Sequence, residues 1–374
     1  MDPTAPDPAR SPRVSSVNGP DLPAPPGAVG AAGPAPVTEV TCLGESMVTF
    51  LPTVPGRLAD VPAFTRAIGG AESNVACALA AAGHRTAWVS RVGADGFGDH
   101  LVAAVAAYGV DTSAVARDPG RPTGVYFRTA TDRSASGHEV AYYRAGSAAS
   151  AMSPRTVPYS LVSRTRVLHL SGITAALSAD CLALLRELML SREGRPLISF
   201  DVNHRPGLWR AAEAGPVLLG LARGADLVFV GEDEAETAWG IGGPDAIRAA
   251  LPEPRTLIVK QGAAGATAYV RGTDGADTAV FVPAPAVEVV APVGAGDAFA
   301  AGYLSATLRG LPPRDRLRHG HLTAAAALTV PGDVGTPPGR DRADRLAALD
   351  DADWERLRLG PGWTSAADEE VRTP

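Results

Sequence analysis

Residues Val289–Leu308 read VVAPVGAGDAFAAGYLSATL. A run of β-branched residues stops at Pro292, a glycine-rich turn follows, and the apolar residues after it predict a long helix. Glycines at 294 and 296 allow a tight turn and the close approach of a ligand. The first N–H groups of a helix have no partner inside the helix. The stretch therefore predicts an anion site at a helix N-terminus, where peptide dipoles add roughly half a positive charge.

Asp297 lies at the start of this predicted helix. A carboxylate beside a phosphate site can take the proton from a hydroxyl group that attacks the phosphate. Aspartate is also common at helix starts, and Gly-x-Gly turns are common in general, so helix capping is the alternative explanation for this tetrapeptide alone. The motifs elsewhere in the chain decide between the two.

The composition excludes several classes of protein. The 374 residues carry a formal net charge of −6 without a dense Lys/Arg patch, so neither nucleic acid nor an anionic membrane is an expected partner. Cys42, Cys77 and Cys181 are far apart in apolar surroundings, as is typical of buried thiols in a reducing compartment. His319 and His321 do not share a helix face, so no metal site is expected there. Without a long apolar run or a signal-like N-terminus, the expected location is the cytoplasm.

The order of segments predicts three regions. Residues 1–36 are rich in Pro, Ala, Gly and Ser, which predicts a disordered leader. Residues 37–338 are expected to form the folded domain, and residues 339–374 a charged C-terminal tail containing one short helix.

Within the folded region, strands and helices alternate beyond Pro154. This pattern predicts an α/β fold with a mainly parallel, doubly wound sheet. Alternating strands near 47–67 and 124–144 interrupt the pattern and indicate a small β-sheet lid that excludes water from the site. Ligands of such sheets bind at the carboxyl ends of the strands. Asp201–Arg205 and Lys260–Gly262 fall at such ends.

Two motifs more than 200 residues apart carry a family resemblance. They are Gly69-Gly70-Ala71-Glu72-Ser73-Asn74 and Gly294-Ala295-Gly296-Asp297. With both signatures in this order, the chain resembles the ribokinase-like PfkB family of carbohydrate kinases over roughly residues 37–338. The resemblance implies a ribokinase-like fold and a kinase that uses ATP and Mg²⁺.

Within this family the chain most resembles the 2-keto-3-deoxygluconate kinases. The stretches that carry this finer match are Gly44–Met47, Thr123–Tyr126, Tyr142–Ser150 and Asp201–Trp209. The match implies a sugar acid as substrate, and a planar guanidinium is well suited to hold its carboxylate.

The resemblance also implies which residues bind the sugar. Arg144 would hold the carboxylate, with a surface salt bridge as the alternative role. Tyr126 and Tyr142 or Tyr143 would bond hydroxyl groups, or else serve only in packing. Gly70 would allow close approach and Asn74 would bond the ligand, with a simple N-cap as the alternative.

The roles implied at the phosphate end are as follows. Asp297 would be the base, and Arg205 would stabilise the charge of the transferring phosphoryl group. The N–H groups of Gly294, Ala295, Gly296 and Asp297 would hold that group. Asn203 would orient ligand or phosphate groups, and Lys260, Gly262 and Gly265 would contact the nucleotide, although the two glycines can equally form a hairpin.

Two departures from the family pattern concern the cations. Ala291 stands where many relatives have an acidic residue, which does not favour activation by potassium. Gly231 stands where relatives often have asparagine, so Mg²⁺ would depend on Glu234 or on water.

Other readings stay open at this point. The chain can be a PfkB-type kinase of fructose, ribose or a nucleoside, or a sugar-sensing relative without catalysis. The exposed edges of the lid strands favour a homodimer.

Overall fold

Short apolar runs bounded by Gly, Pro and polar residues form the strands. The computed structural model describes residues 38–129, 139–209 and 213–365. The predicted leader and the last nine residues of the predicted tail lie outside this range. The strands are β1 (Thr38–Leu43), β2 (Met47–Pro52), β3 (Phe64–Gly69), β4 (Thr86–Gly93), β5 (Val115–Asp118), β6 (Val125–Arg128), β7 (Val140–Tyr143), β8 (Thr165–Ser171), β9 (Leu197–Asp201), β10 (Leu227–Gly231), β11 (Thr256–Lys260), β12 (Ala266–Arg271), β13 (Asp277–Val282), β14 (Ala286–Val287) and β15 (Arg358–Leu359).

The helices connect these strands. They are α1 (Ala71–Ala81), α2 (Gly96–Ala106), α3 (Gly172–Leu177), α4 (Ala179–Leu188), α5 (Ala214–Arg223), α6 (Glu232–Trp239), α7 (Pro244–Ala250), α8 (Ala295–Leu308), α9 (Pro313–Leu328), α10 (Arg340–Ala347) and α11 (Asp351–Arg356). Several begin at a side-chain cap: Asp95 accepts from the Gly98 N–H group at α2, and Ser178 accepts from the Cys181 N–H group at α4.

The large sheet has nine strands in the order β13-β12-β11-β10-β9-β8-β1-β4-β5. All neighbouring pairs from β11 to β5 are parallel, while β12 and β13 are antiparallel additions at one edge. Two core clusters cover its two faces, one including residues of α1, α8 and α9 and the other residues of α4, α5 and α7. Burial on both faces explains why β10 is apolar throughout, LVFVG. The predicted doubly wound α/β fold is confirmed.

A second sheet has four strands in the order β3-β2-β6-β7. The β2–β3 and β6–β7 pairs are antiparallel, as expected for the lid, and β2 and β6 pair in parallel between them. Aromatic contacts hold this sheet together, with the rings of Phe50 and Phe127 stacked at 4.7 Å between centroids.

The structure departs from the predicted elements in several places. The pattern did not indicate β5, because this edge strand has four residues of which two are charged. The apolar pattern predicts a helix from Ala179 to Arg192, whereas the observed helix α4 ends at Leu188. Part of the predicted tail belongs to the core: α10, α11 and β15 pack on the main body, and Trp354 and Trp363 are buried there. The buried residues of this C-terminal segment are interspersed with many charged residues, so the sequence did not indicate that the segment packs on the core.

Two expectations about composition were also tested. All three cysteines are buried and free, as predicted. Among the described residues, no helix combines the length and apolar character needed to cross a membrane.

Candidate active site

The glycine turn before α8 forms the predicted anion site. Gly294 is the N-cap residue with φ of +74°, and the first intrahelical bond joins the Ala298 N–H group to the Gly294 carbonyl at 2.9 Å. The N–H groups of Ala295, Gly296 and Asp297 precede that bond and are therefore available to an anion. A Cβ atom at Gly294 would lie 2.0 Å from the Asp333 carbonyl oxygen, so only glycine fits this turn.

Asp297 lies in the first turn of α8, partly accessible from the cleft. Its Oδ2 accepts a hydrogen bond of 2.8 Å from Asn74 Nδ2, so the two signature motifs meet here. Burial raises the pKa of Asp297 to about 7, and Asp201 adds to this effect, while the bond from Asn74 and the charges of Arg205 and Lys260 oppose it. A carboxyl group with this pKa exchanges a proton readily at neutral pH.

Asn74 is not an N-cap. The N-cap residue of α1 is Gly70, and the Asn74 side chain lies one turn into the helix, where its Oδ1 accepts from the Gly70 N–H group at 3.4 Å. A Cβ atom at Gly70 would lie 2.5 Å from the Glu45 carbonyl oxygen. Gly70 therefore allows the β1–β2 connection to pack against the start of α1, and Asn74 links that start to Asp297.

Polar residues at the carboxyl ends of β9 and β11 lie next to this turn. Lys260 Nζ donates to both Asp201 carboxylate oxygens, at 2.9 and 3.0 Å. Asn203 has φ of +40° and is the one non-glycine residue with positive φ in the described part of the chain. Its buried Oδ1 has no hydrogen-bond partner among the described residues. Strained backbone and an unpaired buried oxygen together are typical of a binding position.

Arg205 and Glu234 lie side by side beyond these strand ends. Arg205 Nη1 is 3.4 Å from Glu234 Oε1, and Glu234 Oε2 accepts from the Gly231 N–H group at 2.8 Å. In residues 38–129, 139–209 and 213–365, no cluster of three or more His, Cys, Asp or Glu residues forms a metal site. Glu234 presents one carboxylate here, and its role as a ligand of Mg²⁺, together with phosphate oxygens and water, stays a prediction.

Gly262 and Gly265 form the tight connection between β11 and β12. Both have positive φ, and the Gln261 N–H group donates to the Gly265 carbonyl at 2.9 Å. A Cβ atom at Gly265 would lie 2.3 Å from the Val282 carbonyl oxygen. The hairpin role is thus sufficient to explain the glycines, and their contact with the nucleotide stays a prediction.

The lid meets the core at Asp333, in the turn after α9. The Tyr126 hydroxyl donates to Asp333 Oδ2 at 2.9 Å, and Arg128 Nη2 is 3.1 Å from Asp333 Oδ1. A Cβ atom at Gly69 would lie 2.2 Å from the Tyr126 hydroxyl, so the first signature motif, the lid and Asp333 converge. Tyr142 lies beside Tyr126, with ring centroids 5.4 Å apart.

Arg144 has a buried partner. Its guanidinium forms an ion pair with Glu45, which follows β1, and the Ser147 hydroxyl donates to Glu45 Oε1 at 2.5 Å. Both charged side chains are largely excluded from solvent. The salt-bridge alternative for Arg144 is therefore realised, but with a buried partner and not on the surface. The Nε atom of Arg144 is buried and has no hydrogen-bond partner among the described residues.

Contacts join Asn74 to Asp297, place Lys260 beside Gly296, and bring Tyr126 against Gly69. That the predicted residues line one binding cleft stays a prediction. Sequence reasoning assigned no role to Glu45, Asp201 or Asp333. Glu45 and Asp201 stand inside the quoted motifs, at the ends of buried strands, which is a usable signal for a site residue. The sequence around Asp333 indicates only a turn. Its contacts with Tyr126 and Arg128 join segments about 200 residues apart, which no local pattern shows.

Comparisons with known proteins agree with this geometry. Residues 37–338 match the sequence pattern of the family described as "pfkB family carbohydrate kinase". The 2-dehydro-3-deoxygluconokinase of Thermoproteus tenax is 33% identical over 316 residues, covering 83% of this chain and 95% of that protein. The enzyme of the same name from Bacillus subtilis is 34% identical over 81% of this chain and 94% of its own length. Fructokinase-1 of Oryza sativa is 35% identical, over 71% of this chain and 81% of its own.

Solved structures give the same result. The PfkB protein from Polaromonas sp. JS666 has a TM-score of 0.71 at 33% identity, covering 84% of this chain and all of that one. A sugar kinase from Pyrococcus horikoshii, solved in complex with ATP, has a TM-score of 0.70 at 25% identity, covering 85% of this chain and all of its own. The family resemblance predicted from the two signatures is confirmed, and the chain belongs to the pfkB family of carbohydrate kinases.

Proposed function

We propose that the protein transfers the γ-phosphoryl group of ATP to the terminal hydroxyl group of a sugar acid, 2-keto-3-deoxygluconate (2-dehydro-3-deoxygluconate) or a near relative. The observation that carries this proposal is the arrangement around Asp297. A carboxyl group with a pKa of about 7 lies at a helix N-terminus built for an anion, under a lid that carries Arg144.

The proposed chemistry is an in-line phosphoryl transfer. Asp297 accepts the proton of the sugar hydroxyl group as its oxygen forms a bond to the γ-phosphorus and the bond from that phosphorus to the bridging oxygen breaks, releasing ADP. The N–H groups of Ala295–Asp297 and the guanidinium of Arg205 stabilise the charge on the transferring group. Mg²⁺, when bound with the nucleotide beside Glu234, supplies further neutralisation of phosphate charge.

Arg144 supports an acidic substrate. It lies in the lid, close to Tyr142, with its guanidinium carbon 5.9 Å from that ring's centroid. Arginine holds a carboxylate through paired N–H donors, and Glu45 fixes the direction of its guanidinium. Two of the relatives carry the name 2-dehydro-3-deoxygluconokinase, which agrees with this choice.

A neutral hexose is the second candidate, because the rice fructokinase is 35% identical to this chain. Glu45 neutralises Arg144, so the local field does not by itself exclude an uncharged sugar. The two candidates differ in their dependence on the charge of Arg144.

The test is ATP consumption by the wild type and Asp297→Asn with 2-keto-3-deoxygluconate, 2-keto-3-deoxygalactonate, fructose, ribose and adenosine. We expect turnover of a keto-deoxy acid, and a loss of about 10²–10⁴ in kcat for the variant, which is the usual contribution of a general base. Turnover of neutral sugars alone would exclude the acid substrate and keep the kinase. Absence of turnover with every sugar would favour a non-catalytic sensor.

Arg144→Ala separates the two candidates. Loss of a charge-assisted hydrogen bond costs about 1.5–3 kcal/mol, so kcat/KM for the sugar acid should fall about 10- to 100-fold while that for fructose changes little. Arg144→Ala/Glu45→Gln is the matched control, because it removes both charges of the pair and leaves no unpaired carboxylate in the cleft wall. Equal losses for both sugars in both variants would assign Arg144 to folding of the lid.

A further inference from the structure

Lys260 reaches across the sheet. It is the last residue of β11, whereas its partner Asp201 is the last residue of β9, and β10 lies between the two strands. Lys260 Nζ donates to both carboxylate oxygens of Asp201, at 2.9 and 3.0 Å. The side chains of Lys260 and Asp201 are 17% and 3% exposed, so little solvent screens this pair from its neighbours.

The ammonium group of Lys260 also lies against the glycine turn. A Cβ atom built on Gly296 would be 3.5 Å from Nζ, so the ammonium is in contact with the first turn of α8, one residue before Asp297. Although burial opposes its charge, Asp201 and the other nearby carboxylates raise the pKa of Lys260 above its ordinary value. Lys260 is therefore a fixed cation under the anion site.

The groups that face Asp297 come from three directions. Asn74 donates from α1, Asp201 and Arg205 approach from β9 and the residues after it, and Lys260 approaches from β11. Two cations and one anion thus act on one carboxyl group. Asp201 has a double effect, because it repels the charge of Asp297 and also fixes the position of the ammonium group that attracts it.

We propose that Lys260, held by Asp201, is a positioning residue that keeps Asp297 able to accept a proton and adds a cation beneath the transferring phosphoryl group. This inference rests on the proposed function of Asp297. It gives Lys260 a different task from the contact with adenosine that the sequence suggested, since its ammonium group is directed to the turn at Gly296.

The test measures the titration of Asp297 directly in the unliganded protein. Carboxyl-labelled ¹³C-aspartate gives one signal per aspartate by NMR, and Asp297→Asn identifies the signal of interest. We expect Lys260→Met to move its midpoint to higher pH by about 1 unit or more, and Asp201→Asn to move it to lower pH, as opposite charges near a carboxyl group should. Lys260→Met/Asp201→Asn should lie between the two single variants.

The double variant also guards against unfolding, because it leaves no unpaired buried charge. A midpoint that stays constant in Lys260→Met, or that moves to lower pH in this variant, would overturn the proposal and leave Lys260 a structural residue. The titration requires neither sugar nor nucleotide, so it can succeed even if no sugar is turned over, in which case only the proposed function fails.

Enzyme kinetics supply a second readout. The pH profile of kcat/KM reports the pKa of groups in the enzyme before the sugar binds. We expect its acidic limb to shift in the same directions as the NMR midpoint, and Lys260→Arg, which keeps the charge, to restore the wild-type limb at least in part. A reduced kcat/KM with an unmoved limb in Lys260→Met would contradict the proposed effect on Asp297.

Discussion

Asp297 is the residue at which stability and function oppose each other. Its carboxyl group has an ordinary pKa of 3.8 in the unfolded chain and about 7 in the fold, chiefly because of burial. Between these values the folded state binds more protons than the unfolded state. The free energy of unfolding must therefore decrease as pH rises from about 4 to about 7, and the loss persists above pH 7.

Asp297→Asn should remove this penalty. At pH 8 we expect the variant to be more stable than the wild type by about 1–3 kcal/mol, and the gain should shrink toward zero near pH 4. Urea unfolding at pH 4.5, 6 and 8 measures the difference. A pH-independent difference for Asp297→Asn would show that its carboxyl group is not perturbed.

Helix α8 offers a matched pair of glycines at its two ends. Gly294 before the helix has φ of +74° and Gly310 after it has φ of +73°, so both disfavour a side chain through the backbone alone. Their surroundings differ. A Cβ atom at Gly294 would meet the Asp333 backbone, whereas at Gly310 it would meet no atom within 4 Å among the described residues.

Alanine substitution should therefore have very different effects at the two ends. Gly310→Ala carries only the left-handed backbone penalty of about 1–2 kcal/mol and should keep full turnover. Gly294→Ala adds a collision with backbone atoms that displaces the turn, so turnover should fall below detection even where the protein still folds. Sugar-dependent ATP consumption and thermal unfolding check both variants. Comparable activity in the two would show that the turn tolerates displacement.

The bounds predicted from the sequence agree with the observed helices and strands where glycines in turn conformations flank the element. The apolar pattern predicts a helix over Glu232–Trp239 and a strand over Thr256–Lys260, and both bounds are observed. Gly240 ends the helix in a left-handed conformation, and Gly262 starts the turn after the strand. Weakly apolar elements such as β5 were not indicated. Local pattern carries information about elements only where burial and turn chemistry agree.

Side-chain partners inside the site were less predictable. The sequence places both Asp201 and Lys260 at the carboxyl ends of strands, and therefore at the same end of the sheet. Their ion pair depends on the Lys260 side chain crossing β10, which no periodicity encodes. The Arg144–Glu45 pair and the Asp333–Tyr126 bond join segments far apart in the chain. The sequence therefore predicted which residues lie at strand ends and in the lid, while the choice of side-chain partners required the folded geometry.

At the scale of the whole molecule, the lid ends in two edge strands in the part of the chain that the structure describes. β3 and β7 terminate the small sheet, and Tyr143 on β7 is 66% exposed. Unpaired edges and exposed aromatic side chains favour association with a second copy. We expect sedimentation to give about twice the chain mass of 38.2 kDa. Tyr143→Asp should shift the protein to monomer, whereas Tyr108→Asp, outside the lid, should not; a monomeric wild type would refute the dimer.

The segment after residue 338 pairs with the chain that leads into the glycine turn before α8. β15 pairs in parallel with β14, and the Glu288 N–H group donates to the Leu359 carbonyl at 2.9 Å. β14 ends seven residues before Gly294. The chain that enters the glycine turn is thus held by residues that the sequence indicated as a tail.

Trp354 anchors this segment. It is buried, its Nε1 donates to the Pro283 carbonyl at 2.8 Å, and the Arg318 guanidinium lies 4.6 Å from its ring centroid.

Trp354→Ala should cost about 3–5 kcal/mol of stability. Because the support of β14 is lost with it, KM for ATP should rise at temperatures where the variant is still folded. Trp354→Phe keeps most of the packing and should cost about 1–2 kcal/mol, chiefly for the lost hydrogen bond. Wild-type stability in Trp354→Ala would mean that the C-terminal segment is peripheral, and that the glycine turn depends on the kinase core alone.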